Sequence, residues 1–167
     1  MKRVIAVKHL LLITMLTAAF SVSAVEIAVK PLSGWKTVDG KIFSIDFDGG
    51  RSWPTLLVSP KGLNPDCYYR ISFDAKCEDG IPNTMLQVFS SHDSRTPVSS
   101  CSWKAGSAYS KIETYFRTGT TGEAIIKVYL NPEIAGKVSV RNITVKELSV
   151  SELGENLFID GDFEAGN

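Results

Sequence analysis

Side chains able to do chemistry are sparse in this 167-residue chain. Only two histidines occur, His9 and His92, and only His92 lies beyond the segment Met1–Ala24. A Ser-His-Asp site would have to use His92, and no Gly-x-Ser-x-Gly nucleophile elbow occurs. A glycosidase needs two carboxylates held across a cleft, but the 18 acids are scattered over turns and strand exteriors with no pair singled out. No glycine-rich loop follows a strand in the manner of a phosphate cradle. No Cys-x-x-Cys pair occurs, so a structural zinc site is not expected. Enzymatic activity is not expected either. What remains are large rings: Trp35, Trp53 and Trp103, with Tyr68, Tyr69, Tyr109, Tyr115 and Tyr129. Such rings either pack a core or form flat apolar surface with a polar rim.

The segment Met1–Ala24 reads as a signal peptide. Lys2, Arg3 and Lys8 are followed by the apolar run Leu10–Phe20 and by the small residues Ser21-Val22-Ser23-Ala24. The alternative is a membrane anchor, but the run is shorter than the ~20 residues that span a bilayer. No Cys follows the cleavage site, which argues against a lipoprotein. Cleavage removes three basic residues and no acid, leaving 15 basic against 18 acidic, a charge of about −3. That balance supplies no basic field for nucleic acid. Export permits disulfides, and Cys67, Cys77 and Cys101 make an odd set. Cys67 and Cys77 flank one strand, ~33 Å apart if extended, too far to bridge. Either could reach Cys101; the alternative is three buried thiols.

The elements that must position these residues are strands almost throughout. The segments are 25–30, 41–47, 55–59, 68–76, 84–91, 111–118, 123–130 and 137–150, rich in β-branched and aromatic residues and mostly of period two. Tyr69, Ile71, Phe73 and Ala75 take one face, as do Ala124, Ile126, Val128 and Leu130. Val138 and Val140 change parity with Ile143 and Val145, predicting a bulge near Arg141-Asn142. Turn signals such as Asp39-Gly40, Asn64-Pro65 and Gly119–Gly122 punctuate the strands. Short antiparallel strands without crossover helices predict an all-β sandwich or barrel. The segment Ser91–Tyr109 reads as one long irregular loop carrying His92, Arg95, Cys101 and Trp103.

The last segment, NLFIDGDFEAG (Asn156–Gly166), resembles the opening of carbohydrate-binding modules of the family 4 and family 9 type. Three earlier stretches are similar to the body of such a module: GLNPDCYYRISFDAKCED (62–79), AYSKIETYFRTG (108–119) and AGKVSVRNITVKEL (135–148). The resemblance implies a galactose-binding-like, antiparallel jelly-roll sandwich over residues 25–150. It also implies that residues 151–167 form a linker and the truncated start of a second module. Two departures stand out. Val25–Trp35 lacks the Gly-x-Phe-Glu opening, and Arg141-Asn142 replaces a late Asp that often helps relatives hold structural calcium. Positive charge at that position disfavours the ion, so no cofactor is expected.

Rings that stack on the C–H faces of pyranoses, with a few polar groups reading hydroxyls, would form the site such a module needs. Trp53 follows Gly49-Gly50-Arg51 in a loop, and Trp103 lies in the long irregular segment. Tyr115 and Tyr129 oppose the core parity on strands that could be neighbours. The polar candidates are Gln87, on a strand of ambiguous parity, and His92 and Arg95 in the loop. Asn142-Ile143-Thr144 fits a glycosylation sequon, relevant only in a host that glycosylates. The expected partners are a polysaccharide or oligosaccharide and a downstream domain of the same polypeptide, with no membrane association after cleavage. The rival expectation is a structural or adhesive spacer sandwich without sugar binding; convergence of Trp53, Trp103 and Tyr129 on one face would separate the two.

Overall fold

The computed structural model describes residues 25–48, 53–78, 84–130 and 135–156. Residues 1–24, expected to be a signal peptide, and residues 157–167 of the expected second-module opening lie outside the described residues. Ten strands and one helix follow in chain order: β1 (Glu26–Pro31), β2 (Lys36–Val38), β3 (Ile42–Phe47), β4 (Thr55–Lys61), β5 (Tyr68–Cys77), β6 (Thr84–Phe89), β7 (Ser99–Trp103), β8 (Ser110–Arg117), β9 (Ile125–Leu130), β10 (Gly136–Glu147) and α1 (Val150–Asn156). They form two five-stranded sheets, β1-β4-β9-β6-β7 (sheet A) and β2-β3-β10-β5-β8 (sheet B). All pairings are antiparallel. The architecture is an all-β sandwich, one of the two forms the strand pattern implied, and of the jelly-roll type that the resemblance implied.

The core follows from the alternation. In sheet A, Val58 pairs with Ile126 and Ile126 with Val88, while Leu56 pairs with Val128 and Val128 with Leu86. All six are fully buried. Sheet B answers with Tyr69, Ile71, Phe73 and Ala75 of β5, flanked by Val138 and Val140 of β10. Each such aliphatic or Phe side chain contributes about 1.5–3 kcal/mol on burial, so a polar residue at any of these positions would oppose the sandwich directly.

The predicted bulge is present. The β10–β5 register shifts between Arg141 and Thr144, and Asn142 sits in the left-handed region at φ 53°, which Asn tolerates better than most residues. Its side-chain amide donates to Asp74 Oδ2 at 2.7 Å. Because of this extra residue, Val145 is buried and Ile143 packs against the core, as Val138 does before the shift. A polar cluster closes one end of the sandwich: the Tyr69 hydroxyl donates to Glu147 Oε2 at 2.8 Å and accepts from Asn64 N–H at 2.7 Å. Nearby, Gly122 turns at φ +66°, and a Cβ there would lie 2.6 Å from the Leu63 carbonyl oxygen.

Two local expectations are corrected, and one edge strand is added. The long loop 91–109 contains β7, because Ser99–Trp103 completes the edge of sheet A by pairing with β6; a serine-rich edge strand has little hydrophobic alternation to reveal it. Lys36–Val38 forms the edge of sheet B against β3. The last strand stops at Glu147, and the following segment is helical. Ser149 and Glu152 explain the helix: Glu152 Oε2 accepts from Ser149 N–H at 2.9 Å while Glu152 N–H donates to Ser149 Oγ at 3.3 Å. This reciprocal pair is a capping box.

Candidate functional site

The side chains of sheet A that point away from the core define the candidate site. Cross-strand register sets them in rows. Thr55 of β4 lies opposite Tyr129 of β9, which lies opposite Met85 of β6 and then Ser102 of β7. The next row runs Lys30, Leu57, Lys127, Gln87 and Ser100 across the whole sheet. Antiparallel pairing puts such neighbours' Cβ atoms about 4.5–5.5 Å apart, so each row presents a nearly continuous strip.

Trp53 stands at the end of this face. Its backbone is held by two contacts: Thr55 Oγ1 donates to the Trp53 carbonyl at 3.0 Å, and Leu130 N–H donates to the neighbouring Pro54 carbonyl at 3.1 Å. The indole is 48% exposed and meets the Tyr129 ring edge-on, with centroids 6.2 Å apart and planes at 86°. Tyr129 is half-buried, and burial pushes its phenol pKa above the ordinary value. A T-shaped contact covers at most one face of either ring, and Trp53 keeps about half of its surface exposed. Further along β9, the Lys127 ammonium lies 4.3 Å from the centroid of Phe89. Phe89 and Ile125 pair across β6 and β9 and are buried apart from the main core cluster.

The structure brings together Trp53, Tyr129 and Gln87 from the residues the sequence singled out. Trp103 is not with them. It faces inward from β7, 5% exposed, and packs edge-on against Phe73 at 5.4 Å. Once β7 pairs with β6, the strand alternation that places Ser102 outward must place Trp103 in the core. Tyr115 belongs to β8 at the edge of sheet B, opposite Arg70, and donates to Glu113 Oε1 at 3.2 Å. Strands β8 and β9 lie in different sheets, so Tyr115 and Tyr129 are not neighbours. His92 and Arg95 are exposed in the turn between β6 and β7. That turn follows Phe89, four residues along β6 from Met85, the cross-strand neighbour of Tyr129, and no contact joins His92 or Arg95 to Trp53 or Tyr129 among the described residues.

Lys127, Met85 and Leu57 complete the face without having been singled out. Lys127 shares the parity of Tyr129, a signal present in the sequence, whereas Leu57 and Met85 join the face only through pairing register.

The thiols of Cys67 and Cys101 are half-buried and that of Cys77 is buried, and no disulfide joins them. Burial pushes the Cys67 and Cys101 thiols up, away from the reactive thiolate. At Arg141-Asn142, where the resemblance implied a missing calcium ligand, the neighbouring carboxylate is engaged by the arginine. There, Arg141 Nε lies 3.6 Å from Asp74 Oδ2 and its guanidinium lies over the Tyr109 ring at 3.7 Å, so Asp74 is already paired with a cation.

Comparison with known proteins bears on the fold. No protein-family model and no curated protein matches the sequence. Solved structures do match. A CBM4 structure superposes with a TM-score of 0.52 at 16% identity, covering 77% of this chain and 81% of the other. The fold is a carbohydrate-binding-module-like jelly roll. The second N-terminal cellulose-binding domain of Cellulomonas fimi β-1,4-glucanase C matches with a TM-score of 0.52 at 12% identity, over 74% of this chain and 86% of that one. The enzymatically active domain of bacteriophage CBA120 tailspike protein 4 reaches 0.52 at 11% identity, over 76% of this chain and 20% of its own. No helix among the described residues is long and apolar enough to cross a membrane.

Proposed function

We propose that this protein is an exported, non-catalytic carbohydrate-binding module whose binding surface is the outer face of sheet A. The observation that carries the reading is the exposed Trp53 indole, braced edge-on by Tyr129 at the end of a strip containing Met85, Gln87 and Lys127. A pyranose stacks its C–H face on an exposed ring, and amide, hydroxyl and ammonium groups alongside bind its oxygens. The C. fimi domain is described as cellulose-binding, and a comparable role is proposed for this chain. By holding an attached enzyme or surface protein on polysaccharide, the module would raise its effective concentration there. One or two stacked rings support a Kd of about 10 μM to 1 mM.

Affinity electrophoresis of the full chain through gels containing polysaccharides, with Trp53→Ala and Tyr129→Ala alongside, tests the reading. Retardation by at least one polymer, abolished by Trp53→Ala, is the expected result. A folded protein that no polysaccharide retards would leave a spacer sandwich instead.

A further inference from the structure

The face has a charge as well as rings. Lys127 lies on β9, the middle strand of sheet A, in the centre of the row Lys30, Leu57, Lys127, Gln87, Ser100. Its cross-strand neighbours, Leu57 and Gln87, are neutral, and so are Thr55, Met85 and Phe89 on the diagonals. Among the described residues the ion pairs of the protein involve other lysines and arginines, and the partner of this ammonium is the Phe89 ring. The chain beyond Ala24 is acidic by about three charges, yet among the described strand residues of this face Lys30, Lys61 and Lys127 stand with one acid, Glu26, which pairs with Lys61 at 3.6 Å.

Resting on the carbohydrate-binding reading above, we infer that the ligand is a carboxylate-bearing polysaccharide built from uronic acid units. Lys127 is half-buried as a residue, and a neutral sugar laid over it would strip water from the ammonium and return no charge, which is costly. A sugar carboxylate returns it. The side-by-side placement of Lys127 and Gln87 suits a planar two-oxygen group: the ammonium donates to one oxygen and the amide N–H to the other, a charge-assisted pair of bonds. Lys127 is two positions from Tyr129 on one strand face, about 6.8 Å along the strand, and its ammonium reaches further along, over Phe89 opposite Ile125. A uronic acid carries its carboxylate directly on the ring, so a chain with one unit by the Trp53–Tyr129 pair can run along β9 and present the carboxylate of a following unit to Lys127.

The test is affinity electrophoresis of the full chain in gels of polygalacturonate, its methyl ester, dextran sulfate and a neutral xylan, with circular dichroism to verify folding. Lys127→Met keeps an unbranched stem over Phe89 and removes the charge. Lys127→Arg keeps the charge. Lys41→Met, in a turn leading to sheet B, makes the same change in net charge off the face. Expected are binding to polygalacturonate, weakening of about tenfold or more in Lys127→Met, retention in Lys127→Arg and Lys41→Met, and loss of affinity on methyl esterification. Equal weakening by Lys41→Met would reveal a bulk polyelectrolyte effect and overturn the inference. So would dextran sulfate binding as tightly as polygalacturonate. Binding to xylan alone, unchanged in Lys127→Met, would overturn the inference while leaving the carbohydrate-binding reading standing. No retardation of a folded protein by any polymer would overturn both.

Discussion

Replacing Trp103 by Ala is expected to damage the fold and replacing Trp53 to damage only the surface, although the two look alike in the sequence. Trp103 is 5% exposed and meets Phe73 edge-on at 5.4 Å, with its carbonyl accepting from the buried Thr84 hydroxyl. Truncating a buried Trp costs about 3–5 kcal/mol, of which the ring pair accounts for about 0.5–1.5 kcal/mol. Against a typical domain stability of about 5–15 kcal/mol, that loss is a large fraction. It lowers the melting temperature by roughly 10–20 °C for a domain of this size. Trp53, 48% exposed, is expected to change stability by no more than about 1 kcal/mol when truncated. Trp103→Phe is the internal control. It keeps a ring against Phe73 and removes the indole N–H, which has no hydrogen-bond partner among the described residues, so its cost is expected to stay under about 2 kcal/mol. Urea unfolding followed by far-ultraviolet circular dichroism avoids the loss of the fluorescent reporter. A cost below about 1 kcal/mol for Trp103→Ala, or equal costs for the two Ala variants, would refute the assignment of Trp103 to the core.

Other perturbations probe the frame that holds the face. Gly122→Ala adds a left-handed-region penalty to a 2.6 Å approach on the Leu63 carbonyl; a loss of about 2–4 kcal/mol is expected in chemical denaturation, against about 1 kcal/mol for Gly40→Ala, which has open space. Burial pushes the Tyr69 hydroxyl up to about 12, with Glu147 adding to the shift. The unfolded chain therefore releases this proton first, so stability is full below pH 10 and falls as pH rises from 10 to 12; Tyr69→Phe should flatten that limb of a stability–pH curve. Bonding to Lys146 and Ser149 depresses Glu152 to about 2, so its contribution to α1 is present above the ordinary carboxylate value and is lost as pH falls towards 2. Ser149→Ala should cost that helix about 0.5–2 kcal/mol, visible as faster amide exchange within residues 150–156 while the sheets stay protected.

Much of the site's frame is readable in the residues themselves. The alternation in β5 and β9 identifies which side chains are buried, and the parity change at Arg141-Asn142 announces the bulge, because strand geometry forces successive side chains to opposite faces. Tyr129 and Lys127 are outward for the same reason. The capping box at Ser149 and Glu152 is also written in the sequence, but the strand-like run before it obscures it. Trp103 illustrates the opposite case. Its neighbours are serines, which report no hydrophobic period, so its segment reads as a loop until β6 offers its free edge.

Apart from the edge strands β2 and β7, strand existence and face were thus determined locally, by patterns of side chains close together along the chain. Which faces meet was not. Trp53 is remote from Tyr129 in the sequence, and Gln87 from Lys127, yet both pairs are neighbours because β4, β9 and β6 are adjacent in sheet A. Tyr115, on the strand that immediately precedes β9 in the chain, is in the other sheet. Strand order depends on long-range hydrogen bonding and on burial of a shared core, neither of which leaves a mark in local periodicity. The sequence alone supplies the rings, the amide and the ammonium; the pairing of distant strands decides that Trp53, Tyr129, Gln87 and Lys127 share one surface and that Trp103 does not.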